Sequence, residues 1–406
     1  MRYFKSLILA AVLFAGLGIA DDAEHRELAD DAEQRKFAEE AEQRELKYQQ
    51  AFREGMQDIV DGLNNGSTNR FVTAIDPEAF LEKIFGLRLI DPRVKREFGE
   101  SMKNQFPQMV GATFSDSKGD IKATLLGVES RANRGRAIVR YDLPDLQFSY
   151  HEYDLLLDDD LDLEIVDWID FLQGERFSDG MGTTLVMAAP SKAAARKLID
   201  YKNVRESDLF QFMELLKATR DRRADRYVDI INNMSPQMQR QRVVVQTGVQ
   251  LTKIIRNRRM MRTALHHMAQ HFPEEPLYSL MLLDYYFPSR LYEEAYTGLQ
   301  RLYDRLDVDD AAMEARLSAA ALVMGNADDA NAFANRALEL EAGLELGWWS
   351  ALRARAALED YAGAVEALTT LTGTFGHTLG PEELKRDRSF AGLLASENYQ
   401  RWIGGS

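Results

Sequence analysis

The sequence predicts an α+β unit, with helices packed on a curved antiparallel sheet, followed by an all-α array of repeated helix pairs. Three observations predict it. Between residues 121 and 172 lie four runs rich in branched and aromatic residues, separated by turn formers. Helical periodicity precedes these runs, over 52–63 and 92–109, and helical periodicity alone follows them. From 311 to 378 the chain then repeats itself with a period of 34 residues, a length that accommodates one pair of helices.

The first 20 residues, MRYFKSLILAAVLFAGLGIA, set Arg2 and Lys5 ahead of an uncharged apolar run ending on Gly18 and Ala20. This is the pattern of a secretory signal peptide cleaved after Ala20. The run is shorter than the ~20 residues of a membrane-spanning helix. The expected location is therefore periplasmic or secreted, with no integral membrane span after cleavage. The chain contains no cysteine, which excludes disulfides, thiolate metal sites and a lipid-bearing cysteine. No motif calls for a metal or a cofactor. The formal charge is -15, and loss of Arg2 and Lys5 moves it to -17. Such a surface repels phosphate backbones and argues against nucleic acid as a partner.

Residues 21–50 form a charged helical spacer. Its phrase DDAEHRELA DDAEQRKFA EEAEQRELK places acids four residues before arginines: Asp22 and Arg26, Asp31 and Arg35, Glu40 and Arg44. Neither Gly nor Pro interrupts residues 21–54. A nine-residue repeat turns a helix by about two and a half revolutions, so Leu28 and Leu46 share one face while Phe37 points away. No continuous apolar stripe results, and the helix reads as solvated.

The α+β unit spans 51–181. Asp91 before Pro92 marks a helix start. The strand-like runs are IKATLLGVES, RAIVRYDL, QFSYHEYDLLL and LEIVDWIDFL, and one face of their sheet is expected to be wet. This order of elements resembles the cone-shaped fold of the nuclear transport factor 2-like superfamily, which includes both enzymes and inert binding modules. The resemblance implies a pocket, whose candidate residues are Tyr150, His151 and Tyr153 on one strand and Asp167 on the next. With a hairpin turn near Asp160, His151 and Asp167 come nearly opposite one another, as an acid–base pair would. An enzyme or small-ligand carrier is accordingly the alternative function. The acidic run Asp158 to Glu164 lacks the glycine and glutamate of a calcium loop, having Leu163 and Ile169 there, and reads as a solvated hairpin tip.

A connecting helix is assigned to 182–203, and helical repeats to 204–380. In the copy 311–344, Ala330 and Ala337 fall at repeat positions 20 and 27; in 345–378, Trp348, Tyr361 and Ala364 fall at 4, 17 and 20. The copy 276–309 places Tyr292 and Ala295 at 17 and 20, and fainter helix pairs occupy 205–238 and 239–275. These positions resemble the tetratricopeptide repeat, in which small residues let two helices approach closely. Residues 381–406 read as a capping helix and tail. The resemblance implies a curved solenoid, separable from the α+β unit, whose concave side binds segments of other proteins.

The expected function is that of an exported, non-enzymatic scaffold that recognises a protein or peptide. Between Lys217 and Arg262 stand 12 bases and 3 acids, whereas Asp21 to Glu45 carries 11 acids and 4 bases. An acidic helix, the chain's own arm or a partner segment like it, is thus the expected occupant of the first repeats. Candidate partner-binding residues are Arg222, Arg223, Arg258, Arg259 and Trp348. His266, His267 and His271 offer two imidazoles on one helix face without a third metal ligand.

Overall fold

The computed structural model describes residues 22–86, 88–115, 121–200 and 202–404; the expected signal segment lies outside them. Strong helix formers without Gly or Pro give one 43-residue helix, α1 (Asp22–Asn64). The expected boundary at residue 50 falls inside this helix, because its last turns place Phe52, Met56, Ile59 and Val60 in a core. Three helices follow: α2 (Asn69–Thr73), α3 (Pro77–Phe85) and α4 (Pro92–Ser115). Asp91 caps α4 as its sequence suggests, accepting the Arg93 amide at 2.9 Å.

The sheet is a meander of β1 (Lys122–Arg131), β2 (Arg134–Leu143), β3 (Gln147–Leu157), β4 (Leu163–Asp170) and the short β5 (Glu175–Arg176), each antiparallel to the next. The unpaired edge of β1 is managed by α1. Asn64 bonds both backbone groups of Ala123, and Glu45 accepts from Ser130 and the Ala132 amide.

Neither face of the sheet is wet, which corrects the expectation of helices on one face only. On one side Val139, Tyr141, Tyr153 and Trp168 pack against Phe52, Phe71, Phe80 and Ile84. On the other, Ile138, Phe148, Tyr150 and Phe171 pack against Leu299, Leu302, Leu306, Met313 and Leu317. The continuous burial of residues 137–141 in β2 is the local signature of a strand covered on both sides.

The chain continues as helix. The connecting helix begins earlier than assigned, as α5 (Phe177–Ala188), and Pro190 separates it from α6 (Lys192–Lys197). Then come α7 (Glu206–Arg220), α8 (Tyr227–Asn232), α9 (Pro236–Gln239), α10 (Arg242–Ile255) and α11 (Arg258–His271). The 34-residue period corresponds to α12 (Ser279–Tyr286) with α13 (Tyr292–Leu306), α14 (Ala311–Val323) with α15 (Ala327–Leu340), and α16 (Glu345–Ala357) with α17 (Tyr361–Gly373). Ala295, Ala330, Ala337 and Ala364 are fully buried where these helices meet. Three short helices close the chain: α18 (Pro381–Leu384), α19 (Ala391–Ala395) and α20 (Glu397–Gly404).

The second face of the sheet is tied to the corner between α13 and α14. Arg140, 1% exposed, donates to Asp310, which is fully buried and also accepts from the Tyr150 hydroxyl. Asp310 is in addition the N-cap of α14, accepting the Met313 amide at 2.9 Å. Burial opposes the Arg140 charge, but Asp310, Asp142 and Glu341 outweigh it and hold the guanidinium protonated. Four residues back along β2, Arg136 donates to Glu152 of β3 and to the last carbonyls of α13, at Arg305 and Leu306. Gly127 admits Val308 of the same corner so closely that an added Cβ would lie 2.8 Å from it. The helical half therefore does not complete its core without the sheet.

Removing Arg140 leaves Asp310 buried without a cation, whereas removing the Asp310 charge leaves Arg140 with Asp142 and Glu341. Arg140→Met is expected to cost about 3–5 kcal/mol in urea unfolding, and Asp310→Asn less. The double variant is expected to cost less than the sum of the two, because neither charge is then left alone. A fragment 204–403 is expected to self-associate in analytical ultracentrifugation, since the Leu299, Leu302, Met313 and Leu317 surface is bared.

Candidate partner-binding cleft

The residues expected to form an acid–base pair in the sheet are held apart. A register shift near Asp154 places His151 opposite Asp170, and Asp167 opposite Asp154. Asp167 is instead committed to the start of α5, accepting the Ser178 hydroxyl at 2.6 Å and the Ser178 amide at 3.3 Å. His151 Nδ1 bonds the Tyr153 hydroxyl at 2.9 Å, and that hydroxyl meets Tyr141 at 2.7 Å. Tyr150 projects to the opposite face, onto Asp310. The space between sheet and helices is occupied by stacked rings: Phe80 on Trp168, and Trp168 on Phe177, with centroids 5.5 and 4.1 Å apart. The acidic hairpin tip is an Asp158 turn whose carboxylate accepts the Asp160 and Asp162 amides.

An open cleft lies instead where α5, α7, α10 and the β4–β5 turn converge. Its volume is about 670 Å³, and its walls include Met187, Ala188, Ile254, Gln250, Lys253, Arg222 and Arg256. Arg222 follows α7 and Arg256 caps α10, both in the left-handed backbone region with φ of 57° and 55°. Glycine meets that demand most cheaply; here arginine brings charge to two adjoining helix ends. Lys253 Nζ donates to the Leu172 carbonyl at 3.0 Å and to Gln173 at 3.3 Å. Its pKa is lowered by burial, which the more distant Asp170, Asp284 and Glu175 oppose. Ile254, 48% exposed, and Leu172 leave apolar surface at the rim.

Of the four cations that line this cleft, Arg220 is paired and Arg222, Lys253 and Arg256 are not. Arg220 is paired with Asp221, Arg223 with Asp225, Arg226 with Glu214 and Arg242 with Glu275. Among the described residues no carboxylate lies within 4.0 Å of Arg222, Lys253 or Arg256. A second cleft of about 730 Å³, lined by Glu175, contains Lys197, which has no carboxylate within 4.0 Å among the described residues, and three arginines, Arg88, Arg176 and Arg242. All three are matched, by Asp179, Asp154 and Glu275.

Of the expected partner-binding residues, Arg222 lines the first cleft. Arg223 is exposed but already paired, and Arg258 and Arg259 stand exposed at the start of α11. Trp348 lies far along the chain on α16 and is half-buried: its Nε1 donates to the Ala342 carbonyl at 2.8 Å and its ring packs toward the terminal helices. His267 is buried with neither ring nitrogen bonded, and burial, then His271 and His266, push its pKa down to about 4. His266 bonds the Tyr285 hydroxyl, and the described residues contain no group of three metal-ligating side chains suited to an ion. Lys253 and Arg256 are functional candidates that periodicity alone did not single out. Their signal is a basic Lys–Ile–Ile–Arg end to the apolar helix VVVQTGVQL.

In comparisons with protein-family models, curated proteins and solved structures, none matched this chain. No helix among the described residues is long and apolar enough to cross a membrane.

Glu175 lines the second cleft and accepts from Gln250 of the first at 2.7 Å. Burial raises its pKa to about 7, opposed by the Gln250 bond and reinforced by Asp179. The folded state thus binds this proton more tightly than the unfolded chain, so the contribution is complete below pH 4.5 and is lost as pH rises through about 7. Glu175→Gln is expected to remove that loss, on the order of 3 kcal/mol, leaving a stability that no longer falls between these limits on its account. Urea titrations of both proteins from pH 4 to pH 8 check it.

Proposed function

We propose that this chain is an exported, non-enzymatic recognition scaffold, with a tetratricopeptide-like array carried on a nuclear transport factor 2-like unit. In this reading the occupant of the α5–α7–α10 cleft is an acidic, amphipathic segment of a partner protein. The observation that carries the reading is the set of unanswered cations, Arg222, Lys253 and Arg256, beside the apolar Met187, Ala188 and Ile254. Carboxylates would answer the cations, while apolar side chains on the same segment would cover the floor.

Two features of the fold direct the partner there. Residues of α10, α12 and α14 that a free array would offer to a ligand are engaged by the sheet, through Gln246, Leu283 and Met313 among others. The chain's own acidic arm belongs to the first half of α1, and the second half of that helix is fixed in the core of the sheet. A segment from another protein is the better occupant.

The test is a fluorescence anisotropy titration of the mature chain with a labelled helical peptide of leucines and glutamates, and with its lysine counterpart. The acidic peptide is expected to bind, with affinity falling steeply between low and physiological salt. Arg222→Glu with Arg256→Glu is expected to weaken it by about tenfold or more. Equal binding of both peptides, or unchanged binding by the double variant, would contradict the reading.

A further inference from the structure

Arginines of this molecule that are withdrawn from water generally meet a carboxylate. Arg140 meets Asp310, Arg88 meets Asp179, Arg136 meets Glu152 and Arg355 meets Glu366. Two partly buried arginines on α14 and α16, helices that pack on one another, do not. Arg316 donates to the Leu146 carbonyl at 3.1 Å and lies over the Phe148 ring, 5.4 Å from its centroid. Arg353 lies over the Trp349 ring at 5.4 Å.

The surroundings leave these guanidiniums charged but unmatched. Asp284 faces Arg316 and Asp387 faces Arg353, both beyond ion-pair distance. Burial depresses each guanidinium, and the charge of Arg353 depresses Arg316 further. Glu345, four residues before Trp349, is already engaged by Trp349 Nε1 at 3.0 Å and by His377 Nε2 at 2.6 Å. The acids of the adjoining terminal segment have nearer partners: Asp387 accepts the Ser389 amide and hydroxyl at 3.0 and 2.7 Å, and Glu382 pairs with Lys385 at 2.7 Å. The Ser350 hydroxyl of α16 donates to the Ala315 carbonyl of α14 at 3.0 Å, so Arg316 and Arg353 leave adjoining turns of two touching helices, each half-buried against an aromatic face; two like charges so placed are an unfavourable arrangement until an anion joins them.

We propose that Arg316 and Arg353 form an anion site at the junction of the β2–β3 turn, α14 and α16, for a phosphate-class dianion. A tetrahedral dianion can accept from both planar forks at once and match both charges, whereas one carboxylate neutralises only one of them. Phe148 and Trp349 hold the two guanidiniums in place before the ligand arrives, which lowers the ordering cost of binding. The site shares no residue with the α5–α7–α10 cleft and stands independently of the function proposed for it.

The experiment is isothermal titration and thermal unfolding of the full chain with inorganic phosphate and, separately, phosphoserine, in chloride buffer of matched ionic strength. Saturable binding of one of them, with a rise in Tm, is expected; preference for phosphoserine assigns an esterified ligand, preference for inorganic phosphate a free one. Arg353→Met and Arg316→Met are each expected to abolish the binding. In chloride alone Arg353→Met is expected to be at least as stable as the parent, because an opposing charge is gone. Should a methionine variant fail to fold, Arg353→Lys, which keeps the charge but not the fork, is expected to bind about tenfold more weakly. Absence of saturable binding by either probe, or binding unchanged in these variants, overturns the proposal.

Discussion

Arg140 on β2 and Asp310 at the head of α14 are both withdrawn from solvent, and Asp310 is an uncompensated buried charge without Arg140, whose fork also reaches Asp142 and Glu341. Much of the architecture depends on that pairing. Asp310 fixes the start of α14 and accepts from Tyr150, while Arg136 holds the end of α13. The sheet thus satisfies the end of α13 directly and holds the cap of α14 in place from more than 150 residues earlier in the chain, as the separation of 170 between Arg140 and Asp310 records. Around the polar contacts the apolar seam of Ile138, Phe148 and Phe171 against Leu299, Leu302 and Leu317 excludes water. Low dielectric strengthens the pairs, and the pairs fix how the apolar surfaces meet.

This arrangement changes what a helical array can do. Repeats that contact only their neighbours leave one face free along their length. Here the sheet engages part of that face, and the polar groups of α10 that remain near it bond the β4–β5 turn through Gln246, Gln250 and Lys253. In the proposed reading the binding sites lie at the margins of the junction. On one margin the basic ends of α7 and α10 border an apolar floor. On another, Arg316 and Arg353 lie over aromatic rings without a carboxylate.

The local features were legible in the sequence because local chemistry decides them. The four principal strands appear where branched and aromatic runs lie between turn formers, and Asp91 caps its helix. Buried Ala330, Ala337 and Ala364 mark the paired helices at the spacing their repeat demands. What escaped was set by distant partners. A strand reading alone gives His151 and Asp167 similar standing, but one irregularity beside Asp154 shifts the pairing and sends Asp167 to α5. Arg140 reads as an exposed polar residue in RAIVRYDL until a carboxylate from a helix far along the chain is brought to it. The cleft was half legible: Arg222 stood out in a basic stretch, whereas the importance of Lys253 and Arg256 lies in the acids that are missing near them.

Native-state hydrogen exchange measures directly whether sheet and helices form one cooperative unit. If the Arg140–Asp310 junction governs the fold, amides of β2 and β3 and amides of α13 and α14 should open together, with matching free energies and matching denaturant dependence. Arg140→Met should lower both by the same amount. Protection of α13 and α14 that persists while β2 and β3 exchange would contradict the account, and would return the helical array to the status of an independent domain.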